Sequence, residues 1–107
     1  MADLEVSTFQ KRPCYRYIRE SDKLPPLGIE SNPSIARVKL FNPTGAGTWY
    51  LSEYDPETRR AFGVANILER ELGYIDMAEL VAFRDSRFGL PIERDLHWTP
   101  RSLAECK

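Results

Sequence analysis

The clearest alternation in the chain runs from Ile35 to Phe41. Ala36, Val38 and Leu40 fall on one side of an extended backbone and Arg37 and Lys39 on the other, the period-2 pattern of a half-buried strand. Asn42-Pro-Thr-Gly-Ala-Gly47 interrupts it, and Thr48 to Tyr54 reads as a second strand. Two apolar, aromatic-rich runs around a Pro/Gly loop predict a β-hairpin with a longer connection, its glycines free to take positive φ. The second strand places Trp49, Leu51 and Glu53 on one face. A carboxylate following a tryptophan and a leucine there either ends the buried stripe or points into a pocket.

Asp55-Pro-Glu-Thr58 is a turn signal, with proline at the second position of a type I turn. A third strand is predicted from Arg59 to about Ala65, where Gly63 marks a bulge or a close backbone approach. Glu69-Arg-Glu71 reads as a polar connection and Leu72-Gly-Tyr-Ile75 as a short fourth strand. Asp76-Met-Ala-Glu79 is a capping-box pattern in its Asp variant. Met77, Leu80, Val81 and Phe83 then supply the apolar face of a helix over residues 77–87, stopped at Gly89 and Pro91. Beyond it Ile92, Leu96 and Trp98 alternate with Glu93, Asp95 and His97. Thr99-Pro100 predicts the cap and first residue of a short C-terminal helix through Ser102 and Leu103.

These elements make an α+β domain: an antiparallel sheet of three to five strands packed against one main helix, with a short C-terminal helix. The core domain spans residues 34–107. Residues 1–33 form an N-terminal extension, read as an edge strand followed by a linker at Lys23-Leu-Pro-Pro-Leu-Gly28 and Asn32-Pro33. Within that extension Lys11 to Arg19 mixes four basic residues with two tyrosines and an isoleucine. Such a mixture can stack bases and hold phosphates, but it equally builds the charged face of a protected sheet edge.

Composition narrows the functions. A chain of 107 residues has room for one domain with one modest core. The formal net charge of −1 lacks the basic excess that duplex-binding proteins carry, so nucleic acid is an unlikely partner. No apolar run reaches the roughly 20 residues that cross a bilayer, and the opening Met-Ala-Asp-Leu-Glu has no signal-peptide core. A cytoplasmic protein without membrane contact is expected. Cys14 and Cys106 have no Cys or His neighbours at zinc-motif spacing and read as reduced thiols, a disulfide between the chain ends being the alternative.

Lys39-Leu-Phe-Asn-Pro43, Thr48-Trp49, Glu53-Tyr-Asp-Pro56, Ala61-Phe-Gly63, Glu71-Leu-Gly-Tyr74 and Arg87-Phe-Gly-Leu-Pro-Ile-Glu-Arg-Asp-Leu-His97 together resemble the bacterial domain of unknown function 2958 family, over about residues 36–103. The resemblance implies a small bacterial protein of the kind carried on plasmids and integrated elements. It brings no activity, cofactor or catalytic residue. The chain departs from the family pattern in residues 1–33 and in a shorter segment between Phe62 and Leu72.

Two groups of residues carry candidate chemistry. Trp49, Tyr50, Glu53, Tyr54, Glu71 and Tyr74 combine aromatics with carboxylates near a Gly-rich loop, a mixture suited to anchoring a protein partner, although the core explains Trp49 equally well. Glu93, Asp95 and His97 are the residue types that hold a divalent metal or transfer protons; three alternating polar side chains are also the wet face of a strand. The Gly-rich loop lacks the Gly-Lys-Ser/Thr and helix of a phosphate-binding loop. The resulting expectation is a non-enzymatic protein-binding or regulatory module, needing no cofactor and serving a mobile element, counter-defence included. A small metal-dependent or carboxylate-based hydrolase is the alternative.

Overall fold

The computed structural model describes residues 4–7, 15–28 and 34–106. Residues 11–14 of the basic stretch, Cys14 among them, and the Asn32-Pro33 punctuation lie outside the described residues. The strands are β1 (Leu4–Ser7), β2 (Tyr15–Ile18), β3 (Ile35–Ala36), β4 (Val38–Phe41), β5 (Thr48–Asp55), β6 (Arg60–Asn66), β7 (Arg70–Asp76), β8 (Glu93–Arg94) and β9 (Arg101–Ser102), with one helix, α1 (Met77–Ala82). Short 3-10 turns occupy Glu20–Asp22 and Leu103–Glu105. The main sheet is antiparallel, in the order β7-β6-β5-β4-β8; β1 pairs with β2, and β3 with β9.

The expected hairpin is β4–β5, with Leu40 opposite Trp49 and Phe41 opposite Thr48. Its first strand is divided at Arg37, whose N–H still donates to the Leu51 carbonyl at 2.9 Å. Val38 and Leu40 therefore enter one core, with Trp49, Leu51, Tyr54, Tyr17 and Ile92. Ala36 enters another, with Tyr50, Val64, Leu103 and Cys106. Both faces of β5 are covered, which is why its residues from Trp49 to Tyr54 are all buried and why simple alternation does not describe it.

A bulge decides the rest of β5. Pairing passes from Leu51 opposite Gly63 to Glu53 opposite Phe62, leaving Ser52 as the extra residue, its hydroxyl donating to the Phe62 carbonyl at 3.1 Å. After the extra residue Tyr54 joins Trp49 and Leu51 in the first core. Glu53, expected on that face, is turned to the opposite side.

The chain is mostly β, which corrects the expected α+β domain built on a main helix. The helix foreseen over 77–87 covers only Met77–Ala82, and buries Met77 and Leu80. Asp76 caps it by accepting the Ala78 N–H at 2.9 Å. Phe83 then turns extended, at φ −62° and ψ 137°, and the Asp85 carboxylate gathers the N–H groups of Arg87, Phe88, Gly89 and Leu90. A short acidic side chain bonding its own backbone offers an alternative to the helical ladder, and here it prevails. Tyr17 and Ile18 of the N-terminal hairpin fill the first core beside α1.

The C-terminal helix is also corrected. Arg101 and Ser102 pair with β3, and only the 3-10 turn Leu103–Glu105 follows, capped by Ser102 rather than Thr99. Arg94 ties the N-terminal segment to the far edge: it donates to both Asp22 carboxylate oxygens at 2.7 Å and to the Tyr17 carbonyl at 3.0 Å. Among the described residues no helix is long and apolar enough to cross a membrane.

Candidate functional site

The six residues expected to anchor a partner are divided by the fold. Trp49 and Tyr54 are in the first core, and Tyr50 is in the second beneath the Trp98 ring, 5.3 Å between centroids. Burial pushes the Tyr50 phenol above its ordinary range, with the neighbouring Cys106 adding to the effect. Glu53 is 5% exposed and accepts the Gly28 N–H at 2.9 Å. Glu71 and Tyr74 alone are exposed, both on β7. Glu53 thus closes an internal contact, and the accessible part of the expected anchor set is the β7 strand.

Glu93, Asp95 and His97 are not presented together along one strand. β8 ends at Arg94, and the Asp95 carboxylate accepts the His97 N–H at 2.9 Å inside a turn while facing the Lys39 ammonium at 3.7 Å. Among the described residues no three His, Cys, Asp or Glu side chains gather closely enough to hold a metal ion. Cys106 is buried and reduced, and burial pushes its thiol up, away from the reactive thiolate.

The structure offers a different site, at the β6–β7 end of the sheet. Register places Phe62 opposite Tyr74 and Val64 opposite Leu72, so these four side chains share the face that bears the second core. Toward the β5 side that face is roofed by the C-terminal turn. Arg70 fastens the roof, donating from Nε to the Cys106 carbonyl at 2.7 Å and from Nη2 to the Leu103 carbonyl at 3.1 Å. Beyond the roof the sheet is bare: Leu72 is 60% and Tyr74 66% exposed. A cleft of about 340 Å³ lies between Phe62 and Leu72 on the sheet and Ser102, Leu103 and Ala104 of the roof, with Ser34 at one end. Tyr74 continues its apolar wall, edge-on to Phe62 at 5.5 Å and beneath the Arg60 guanidinium.

An apolar cleft between a sheet face and a turn can hold side chains of an extended polypeptide laid over that face. Sequence reasoning missed Phe62, Arg70, Leu72 and Leu103. The available signal was Leu72 at i beside Tyr74 at i+2, on the same face of a strand already expected over residues 72–75. The Ile67–Glu69 turn extends the apolar surface, Leu68 being 96% exposed.

A family model described as a protein of unknown function (DUF2958) matches residues 28–105. The chain belongs to the DUF2958 family. The match takes in the five-stranded sheet, α1, the C-terminal roof and both sides of the cleft, and it begins at Gly28, whose N–H meets Glu53. Strands β1 and β2 of this DUF2958 member precede the matched region. No curated protein and no solved structure gives a significant match.

Proposed function

We propose that this DUF2958 member is a non-enzymatic protein-binding module that takes an extended apolar segment of a partner into the cleft beside β7. The observation supporting this is the exposed pair Leu72 and Tyr74 on the edge strand β7 beside the half-buried Phe62 of β6, walled on one side by the Arg70-fastened turn. Exposed contiguous apolar surface bordered by polar groups is characteristic of interaction sites. A regulatory role for a bacterial mobile element, counter-defence among the possibilities of that role, belongs to the same proposal and rests on the sequence resemblance rather than on geometry.

Selection of peptides from a random library on the full chain tests the reading. Peptides with alternating apolar residues are expected to enrich. Their binding should be lost in Ala104→Arg, which extends a charged side chain into the cleft from an exposed position while leaving the melting temperature near that of the wild type. Failure of any peptide to enrich, or equal binding to the variant, would overturn the cleft as the site.

A further inference from the structure

We infer that β7 also pairs antiparallel with β7 of a second copy, about a two-fold axis at Gly73, joining two five-stranded sheets into one. This deepens the reading of the β7 side as a docking surface, and it names one occupant of the edge itself. Among the described residues β7 ends the sheet, and no strand lies beyond its seven residues. An exposed strand of that length presents a row of backbone donors and acceptors, and proteins commonly blunt such edges with lysine, proline or a bulge. β7, Arg-Glu-Leu-Gly-Tyr-Ile-Asp, has no lysine or proline and pairs with β6 without a register shift, and its charges, Arg70, Glu71 and Asp76, lie toward the strand ends, leaving residues 72–75 uncharged.

The strand is complementary to itself. In an antiparallel pair centred on Gly73, Arg70 of each copy stands opposite Asp76 of the other and Leu72 opposite Tyr74, all on the face that bears the cleft; with Nε and Nη2 holding the roof, Arg70 meets that carboxylate through Nη1 alone. Glu71 stands opposite Ile75 on the other face. Opposite charges and aromatic–aliphatic pairs are the cross-strand combinations that stabilise sheets, and each occurs twice in a two-fold interface. A parallel pairing in the same frame would set Arg70 against Arg70 and Asp76 against Asp76.

Gly73, at the two-fold axis, is compatible with the pairing but does not demand it: a Cβ there would meet nothing within 4 Å and would stand perpendicular to the sheet, clear of a strand paired at its edge. The two clefts then lie on the same face of the joined sheet, giving a bivalent surface for partner segments.

Sedimentation equilibrium of the full chain across a concentration series decides the matter, with thermal melts confirming that each variant is folded. The wild type is expected to dimerise. Tyr74→Lys, which sets a charge opposite Leu72 twice, should weaken the dimer at least about tenfold. Asp76→Asn keeps an equally good helix cap but removes the charge facing Arg70. It should weaken the dimer about two- to tenfold, with the difference fading at high salt, and it decides the question if Tyr74→Lys fails to fold. A wild type that stays monomeric, or a dimer indifferent to both substitutions, would overturn the pairing. If that monomer still binds the selected peptides, the cleft reading stands and the second copy alone is wrong. A variant-sensitive dimer that takes no peptide supports the pairing while the cleft reading fails.

Discussion

A methyl group built on Gly63 would stand 1.8 Å from the carbonyl oxygen of Tyr50. Gly63 lies opposite Leu51, immediately before the Ser52 bulge in β5. The obstructing atom is backbone, so it cannot rotate away. Gly63→Ala is expected to destabilise the fold by about 1–3 kcal/mol or more, read as a lowered urea midpoint. An unchanged midpoint would mean that β5 and β6 separate freely at the bulge.

Trp49 should be among the largest single contributors to the first core. It is 8% exposed, and its ring covers Gly47, where a Cβ would come within 2.6 Å of the indole. Trp49→Ala is expected to cost about 3–5 kcal/mol through lost transfer and a residual cavity. Denaturant unfolding measures it, and a small effect would require the loop at Gly47 to collapse into the vacated space.

The Arg94–Asp22 pair is bidentate, and its side chains are only 11% and 10% exposed. Removing one member strands the other charge away from water. Arg94→Met is therefore expected to lose about 3–5 kcal/mol, and the double variant with Asp22→Asn should recover part of that loss. Equal stability of the single and double variants would show that Asp22 finds water once Arg94 is gone.

Asp85 makes stability depend on acid. The Phe88 N–H is the largest influence holding its carboxyl below the ordinary 3.8, with the Thr44 hydroxyl and the Arg87 and Leu90 N–H groups acting in the same direction. A carboxylate with a lowered folded-state value stabilises the fold fully above the unfolded value, and the contribution is lost as pH falls through the folded one. The melting-temperature gap between wild type and Asp85→Ala should be constant near neutrality and narrow below about pH 4. A gap that persists undiminished at the acid end would assign Asp85 a role independent of its charge.

Much of the strand pattern was legible because it is local. Alternation at Val38 and Leu40, the Pro/Gly loop before Thr48, the Asp55-Pro56 turn and the Asp76 cap each act over a few residues, and each appears where the sequence puts it. Gly63 was legible as a close approach for the same reason: a glycine inside a strand is costly without a neighbour to justify it. The family followed from motifs spread over the region that the family model covers.

Tertiary structure alone decided which faces are covered. One inserted residue at Ser52 turned Glu53 away from the Trp49 stripe, because a strand's two faces exchange with every single-residue shift. The helix stops at Ala82 ahead of the turn that the Asp85 carboxylate closes through four local N–H groups, and helical periodicity carries no signal for that turn or for its further bond from the Thr44 hydroxyl at 3.0 Å. Leu72 and Tyr74 are apolar in sequence whether buried or bare. Only the extent of the roof fastened by Arg70, reaching from the chain's last residues across Val64 but not past Leu72, left them at the surface. Local pattern locates the central strands of the main sheet, whereas coverage depends on contacts between segments far apart in sequence, and the candidate site lies where coverage ends.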